Sequence, residues 1–217
     1  MKRSAGVLSF LISVFDLSGL CQNGASDPYK ATLDRLNLLT RQAETEWRFH
    51  DDIPHPEDPG LNDSDWSVFQ VKNVSGPGGQ HANEEHWTGT RVFRRWVQIP
   101  EKINGYSTQG SRLWLDLRFG SPGSLILTVF SNGAVLYRGD DDNILPVPLS
   151  ENAQPGQKFL VTVRVVAGDA VQSEFFHSEL TIDVPKSRPD PARLRLEFLA
   201  ARPIIAAYED GKAEREK

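Results

Sequence analysis

The apolar positions of this chain repeat with one period near its N-terminus and with another through its middle. Tyr29, Leu33, Leu36, Leu39 and Ala43 recur at helical spacing, with Arg35, Arg41 and Glu44 between them. Ser26 and Asp27 supply cap residues and Pro28 suits a first helical turn, so the spacing predicts a helix that ends near Trp47. The next stretch, HDDIPHPEDPGLNDSD, holds three prolines and a glycine, which forbid regular structure. From there the period falls to two. Ser67 to Val71, Arg91 to Ile99, Arg112 to Phe119, Ser124 to Ser131, Ala134 to Arg138, Lys158 to Val166 and Glu179 to Val184 read as strands. Leu113, Leu115, Leu117 and Phe119 fall on one face of their strand, and Trp114, Asp116 and Arg118 on the other. Asn132-Gly133 between two apolar runs signals a hairpin, because a type I′ turn needs positive φ at both central residues. Short strands separated by turn signals, with no helices between them, predict an antiparallel sandwich or barrel, not a parallel sheet. Asp190 and Pro191 then open a second helix with Leu194, Phe198 and Leu199 on an apolar face. Pro203 should kink or split it before Ile204, Ile205 and Tyr208.

The 217 residues suffice for one domain with extra segments at its ends. A chain of this size buries about 70% of the surface its unfolded form exposes, so its core needs no disulfide or metal. The net charge of −5 comes without the clustered Lys and Arg of a nucleic-acid-binding face. At the start, Lys2 and Arg3 precede an apolar run from Gly6 to Phe15, far shorter than the about 20 residues of a membrane span. Small and polar residues follow, so residues 1–25 are expected to be a secretory signal peptide and the protein secreted or periplasmic. LSGLC is similar to a lipoprotein box, but Leu20 stands where that signal wants a small residue. Secretion is therefore preferred to a lipid anchor at Cys21.

Four kinds of chemistry were sought. His50, Asp51, Asp52 and His55, and His81, Glu84, Glu85 and His86, are ligand types, but neither spacing matches a zinc or calcium signature, and no metal site is assigned. There is no GxSxG elbow, and GPGGQ lacks the strand, helix and lysine of a phosphate loop. Asp140, Asp141 and Asp142 are adjacent carboxylates on a turn, which point apart and are solvated; no catalytic residue is assigned. Five tryptophans remain, Trp47, Trp66, Trp87, Trp96 and Trp114. An aromatic face suits the C–H face of a sugar, although aromatics dominate cores too. Trp96, within a strand, reads as core, whereas Trp87, at a loop–strand junction, is the candidate sugar contact, and Asn132 and Asp141, in and after the hairpin turn, are further candidates.

Taken in order, DSDW at 63–66, TGTRVFRRWVQIP at 88–100, VFSNG at 129–133 and GQKFLVTVRV at 156–165 resemble the galactose-binding-like jelly-roll domain at the N-terminus of many glycoside hydrolases. The flanks, YKATLDRLNLLTRQAETEWRFH and RPDPARLRLEFLAARPIIAAY, look like those of bacterial family 38 enzymes, the α-mannosidases. The resemblance implies an all-β jelly-roll sandwich with flanking α-helices at both ends. Residues 26–48 form a helical segment, 49–186 the sandwich and 187–217 a helical linker towards a catalytic domain absent from this sequence. That domain would carry a His-x-Asp zinc site and an aspartate nucleophile. No HxDxxW-like segment occurs here, so no catalytic residue and no zinc ligand carry over, and no cofactor is assigned to this chain. The implied role is a non-catalytic accessory domain whose partners are carbohydrate or its own downstream catalytic domain. Three alternatives stand beside it. They are a stand-alone carbohydrate-binding module, the same domain of a family 2 β-glycosidase, and an interaction domain with an apolar stripe at Leu194, Phe198 and Ile205.

Overall fold

The computed structural model describes residues 29–73, 86–140, 146–168 and 172–215. The expected leader with Cys21, the Ser26–Pro28 cap, the ligand types His81, Glu84 and Glu85, and Asp141 and Asp142 lie outside them. The described chain is an all-β sandwich with a helix at each end. Helix α1 spans Lys30–Leu38 and α2 Pro191–Arg215. Between them run β1 (Arg41–Ala43), β2 (Glu46–Asp51), β3 (Ser67–Gln70), β4 (Thr90–Gln98), β5 (Lys102–Ile103) and β6 (Tyr106–Ser107). These are followed by β7 (Arg112–Gly120), β8 (Ile126–Ser131), β9 (Ala134–Asp140), β10 (Val147–Ser150), β11 (Lys158–Val166) and β12 (Glu174–Asp183). One sheet has the order β1-β12-β7-β10 and the other β3-β2-β4-β11-β8-β9, antiparallel throughout, with β5 and β6 a separate small hairpin.

The alternation in β7 does what its sequence predicts. Leu113, Leu115, Leu117 and Phe119 are buried between the sheets, opposite Phe93, Val97, Val161, Val163 and Val165 of β4 and β11. At one end the core is aromatic. Phe175 stacks on Phe119 at 4.2 Å and meets Phe93 at 5.1 Å and Trp47 at 5.4 Å edge-on. The Asn132-Gly133 turn joins β8 to β9 with φ of 48° and 84°, the conformation that Asn-Gly favours.

The expected helix through Trp47 is a shorter one. It stops at Leu38, and the chain then enters both sheets: β1 pairs with the edge of β12, and β2 pairs with β4. The alternation of buried Trp47 and half-buried Phe49 with Arg48 and His50 outweighs the helical spacing that happens to reach Ala43. Trp47 is anchored by its indole N–H, which donates to Glu44 O and to Ser178 Oγ. At the other end, Asp190 Oδ1 accepts from the backbone N–H groups of Ala192 and Arg193, the cap its position predicts. Pro203 neither ends nor splits α2, which runs through it. The first half of α2 rests on α1, where Phe198 meets Tyr29 edge-on at 5.0 Å. Leu196, Ile204 and Tyr208 are exposed.

Candidate functional site

The outer face of the six-stranded sheet is where polar side chains converge. Arg48 of β2, Arg94 of β4 and Arg164 of β11 all point outward there, because even-numbered positions alternate away from Phe93 and Val163. Residues 52–66, the proline-rich stretch, lie across this face as a strap. Arg164 grips Asp52 with two bonds of 2.9 and 2.7 Å. That pairing holds the Asp52 carboxyl below the usual carboxylate range. Arg94 donates to the Pro56, Asp58 and Leu61 carbonyls and to Asp63 Oδ2. Arg48 donates through one nitrogen, Nη1, to the carbonyls of Asp63, Ser64 and Trp66. A strap without strands or helices must satisfy its carbonyls somehow, and here the guanidinium groups of Arg48 and Arg94 do so, while Arg164 holds its Asp52 carboxylate. Arg48 and Arg94 face each other across the ladder; Asp63 offsets their repulsion, 3.1 Å from Arg94 Nε and 3.9 Å from Arg48 Nε. At the far end, the carbonyl of Glu57 approaches the Asn132-Gly133 hairpin.

Beside the strap, β2 and β4 part. Their ladder stops at Arg48 and Arg94, and neither Trp47 and Arg95, next in register, nor Glu46 and Trp96, the next on the outer face, are paired. The gap is a groove of about 320 Å³ lined by Glu46, Arg48, Asp63, Arg94, Arg95 and Trp96. Arg95 turns away from the strap and binds the buried Glu44 at 2.5 Å and the Glu46 carbonyl. Burial pushes the Glu44 carboxyl up, while Arg95 and Gln42 pull it down.

On the outer face of the four-stranded sheet, His177 Nε2 lies 3.7 Å from Asp116, which is held by Arg118. Burial lowers the His177 pKa, and Asp116 and Glu179 oppose this. Trp114 lies on the same face, half-buried, its indole N–H bonded to Asp183 and the Arg112 guanidinium 4.8 Å from its ring.

The sequence candidates are not brought together. Trp87 is 3% exposed, packed edge-on against Phe93 at 5.2 Å and under the Arg91 guanidinium, so its face is closed to a sugar ring. Asn132 serves the fold: its Oδ1 accepts from the Leu160 N–H, which fixes the hairpin to β11. Asp141 lies outside the described residues. Trp96, expected in the core, is 51% exposed and faces the groove. Strand parity was the signal that could have found it, since Phe93 and Val97 inward put residue 96 outward. Of the first group of ligand types, Asp52 is taken by Arg164, and among the described residues no three His, Cys, Asp or Glu side chains gather to hold a metal. Among the same residues no helix is long and apolar enough to cross a membrane.

No protein-family model matches the chain, and no curated protein matches it. Similar solved structures include a glycosyl hydrolase family 2 member from Bacteroides cellulosilyticus, at 18% identity and a TM-score of 0.47 over 66% of this chain and 21% of that one. The Bacteroides uniformis β-glucuronidase is 16% identical with a TM-score of 0.46, over 65% and 18% of the two chains. The Ruminococcus gnavus β-glucuronidase is 14% identical with a TM-score of 0.40, over 68% and 30%. The chain therefore spans less than a third of the length of each. None of the three is an α-mannosidase.

Proposed function

We propose that this chain is a non-catalytic accessory sandwich of a larger extracytoplasmic glycoside hydrolase, with the family 2 β-glycosidase architecture preferred to the α-mannosidase one. The observation that supports it is the role of RFH and RRW in one construction. Strands β2 and β4 present arginines that bind a strap ending in the DSDW segment, so the motifs that resemble the glycosidase jelly roll form one connected unit. The α-mannosidase reading leaned on both flanks, the N-terminal one as a helix outside the jelly roll. The fold instead spends the second half of that flank on β1 and β2, inside the sandwich. The exposed Leu196, Ile204 and Tyr208 of α2 suit a surface for a further domain.

The test is an assay of the purified 217-residue chain on 4-nitrophenyl β-D-glucuronide, β-D-galactoside and α-D-mannoside. No turnover of any of them is expected. Turnover abolished by a single carboxylate-to-amide substitution would overturn the accessory role.

A further inference from the structure

We propose that the groove between Glu46 and Trp96 is a binding subsite for one neutral pyranose ring. The proposal goes beyond the accessory role and does not depend on it. Trp96 leaves half its surface open in the middle of a sheet whose outward neighbours Arg94, Leu160 and Thr162 are all buried. A large exposed aromatic at a concave place, beside a polar wall, marks a ligand face more than a patch of surface. The floor is rigid. Arg94 is 1% exposed and held by four groups of the strap, and Arg95 is fixed to Glu44 and to the Glu46 carbonyl.

The chemistry of the rim selects the ligand. Among the described residues, the Glu46 carboxylate and the Trp96 Nε1 have no hydrogen-bond partner, and Arg48 makes its bonds through Nη1, leaving its Nη2 hydrogens. An acceptor, two donors and an apolar ring face thus meet at one opening. A pyranose offers the complement: C–H groups on one face for the indole and hydroxyls on its edge that both donate and accept. Charge argues against an ionic ligand. Arg95 is matched by Glu44, Arg94 and Arg48 share Asp63, and the Glu46 carboxylate supplies the third negative charge, so the formal charges in and behind the groove sum to zero. Its volume is at the small end of ligand pockets, which span about 300–1,000 Å³, and fits a single ring.

The experiment follows the indole N–H resonances by two-dimensional NMR while the chain is titrated with methyl β-D-glucopyranoside, methyl β-D-galactopyranoside, methyl α-D-mannopyranoside and, as the anionic control, methyl β-D-glucuronide. The signal that vanishes in Trp96→Ala should shift saturably with at least one neutral sugar. For a ligand of this size the dissociation constant should be on the order of 1 mM. Trp96→Ala and Glu46→Gln should weaken binding at least tenfold, and Trp114→Ala, on the other sheet, should leave it unchanged. A wild-type urea midpoint in Trp96→Ala confirms that it folds. No saturable shift with any neutral sugar, binding only of the glucuronide, or Trp96→Ala binding within twofold of wild type would overturn the proposal. Turnover of an aryl glycoside would overturn the accessory role and leave this one standing.

Discussion

Replacing Arg94 by Met should be among the most damaging single changes outside the hydrophobic core. The side chain is buried, and it satisfies Asp63 and the carbonyls of Pro56, Asp58 and Leu61. Met keeps much of the volume and removes every donor. Breaking a buried ion pair from one side costs about 3–5 kcal/mol, because the partner stays behind uncompensated. Asp63 keeps 20% of its side chain exposed and has Arg48 Nε at 3.9 Å, which places the loss near the lower end, about 3 kcal/mol. At roughly 2–4 °C per kcal/mol for a chain of this size, the melting temperature should fall by about 6–12 °C. Urea unfolding at pH 7, read as a shift in midpoint at constant slope, measures the loss. The exposed Arg193–Glu197 pair is the control, where Arg193→Ala should leave the midpoint almost unchanged. Arg94→Lys keeps the charge but not the planar fork, and should recover less than half the loss. Limited proteolysis gives the local readout, with new cuts within residues 52–66 of the variant. A loss below about 1 kcal/mol, or an uncut strap, would refute the reasoning.

Phe175 touches Phe119, Phe93, Trp47 and Phe69, so Phe175→Ala should cost about 3–5 kcal/mol in urea unfolding, and a value under about 1.5 would deny it that central place. Gly133 has φ of 84°, so Gly133→Ala should cost about 1–2 kcal/mol by the same measurement, and an unchanged midpoint would mean that the turn relaxes to another type. His177 has its pKa lowered by burial, so the folded state binds fewer protons than the unfolded one between that value and the ordinary histidine value. Stability should therefore fall as pH drops through this window, and His177→Gln should flatten that limb; an equal slope in both proteins would contradict the assignment. Glu44 has the opposite sign. Burial raises its pKa, so stability relative to Glu44→Gln should decline as pH rises from the ordinary carboxylate value, and a difference independent of pH would count against it.

Strands with one buried face were legible in the chain. Strand β11 has the bounds that the alternation predicts, β7 ends one residue later, at Gly120, and Asn132-Gly133 sits in the predicted turn. Three departures have local causes. In β12 a bulge between Phe175 and His177 shifts the side-chain parity, and its first half was therefore not read as strand. In β4, Val92, Phe93 and Arg94 are all buried because the strap covers the outer face, which hides the period and disguises Trp96 as core. The Asn104-Gly105 turn of β5–β6, with φ of 48° and 90°, carried the same signal as Asn132-Gly133 between runs too short to register as strands. The site was less legible than the fold. The prolines of residues 52–66 said only that the stretch is irregular. Its purpose depends on Arg94, 31 residues from Asp63, and on Arg164, 112 residues from Asp52. No local pattern encodes such distances.

The strap also bears on the order in which the molecule assembles. Its carbonyls are received by Arg48 and Arg94 of two adjacent strands, and its Asp52 carboxylate by Arg164 of a third, near the end of the sandwich. They can be received only once β2, β4 and β11 lie side by side. Until then the stretch gains nothing by leaving water. Docking after the rate-limiting step of folding is the expectation, and a weakened strap should then hasten unfolding while leaving the refolding rate almost untouched. In this chain the proline-rich segment acts as a late fastening on a sheet already made.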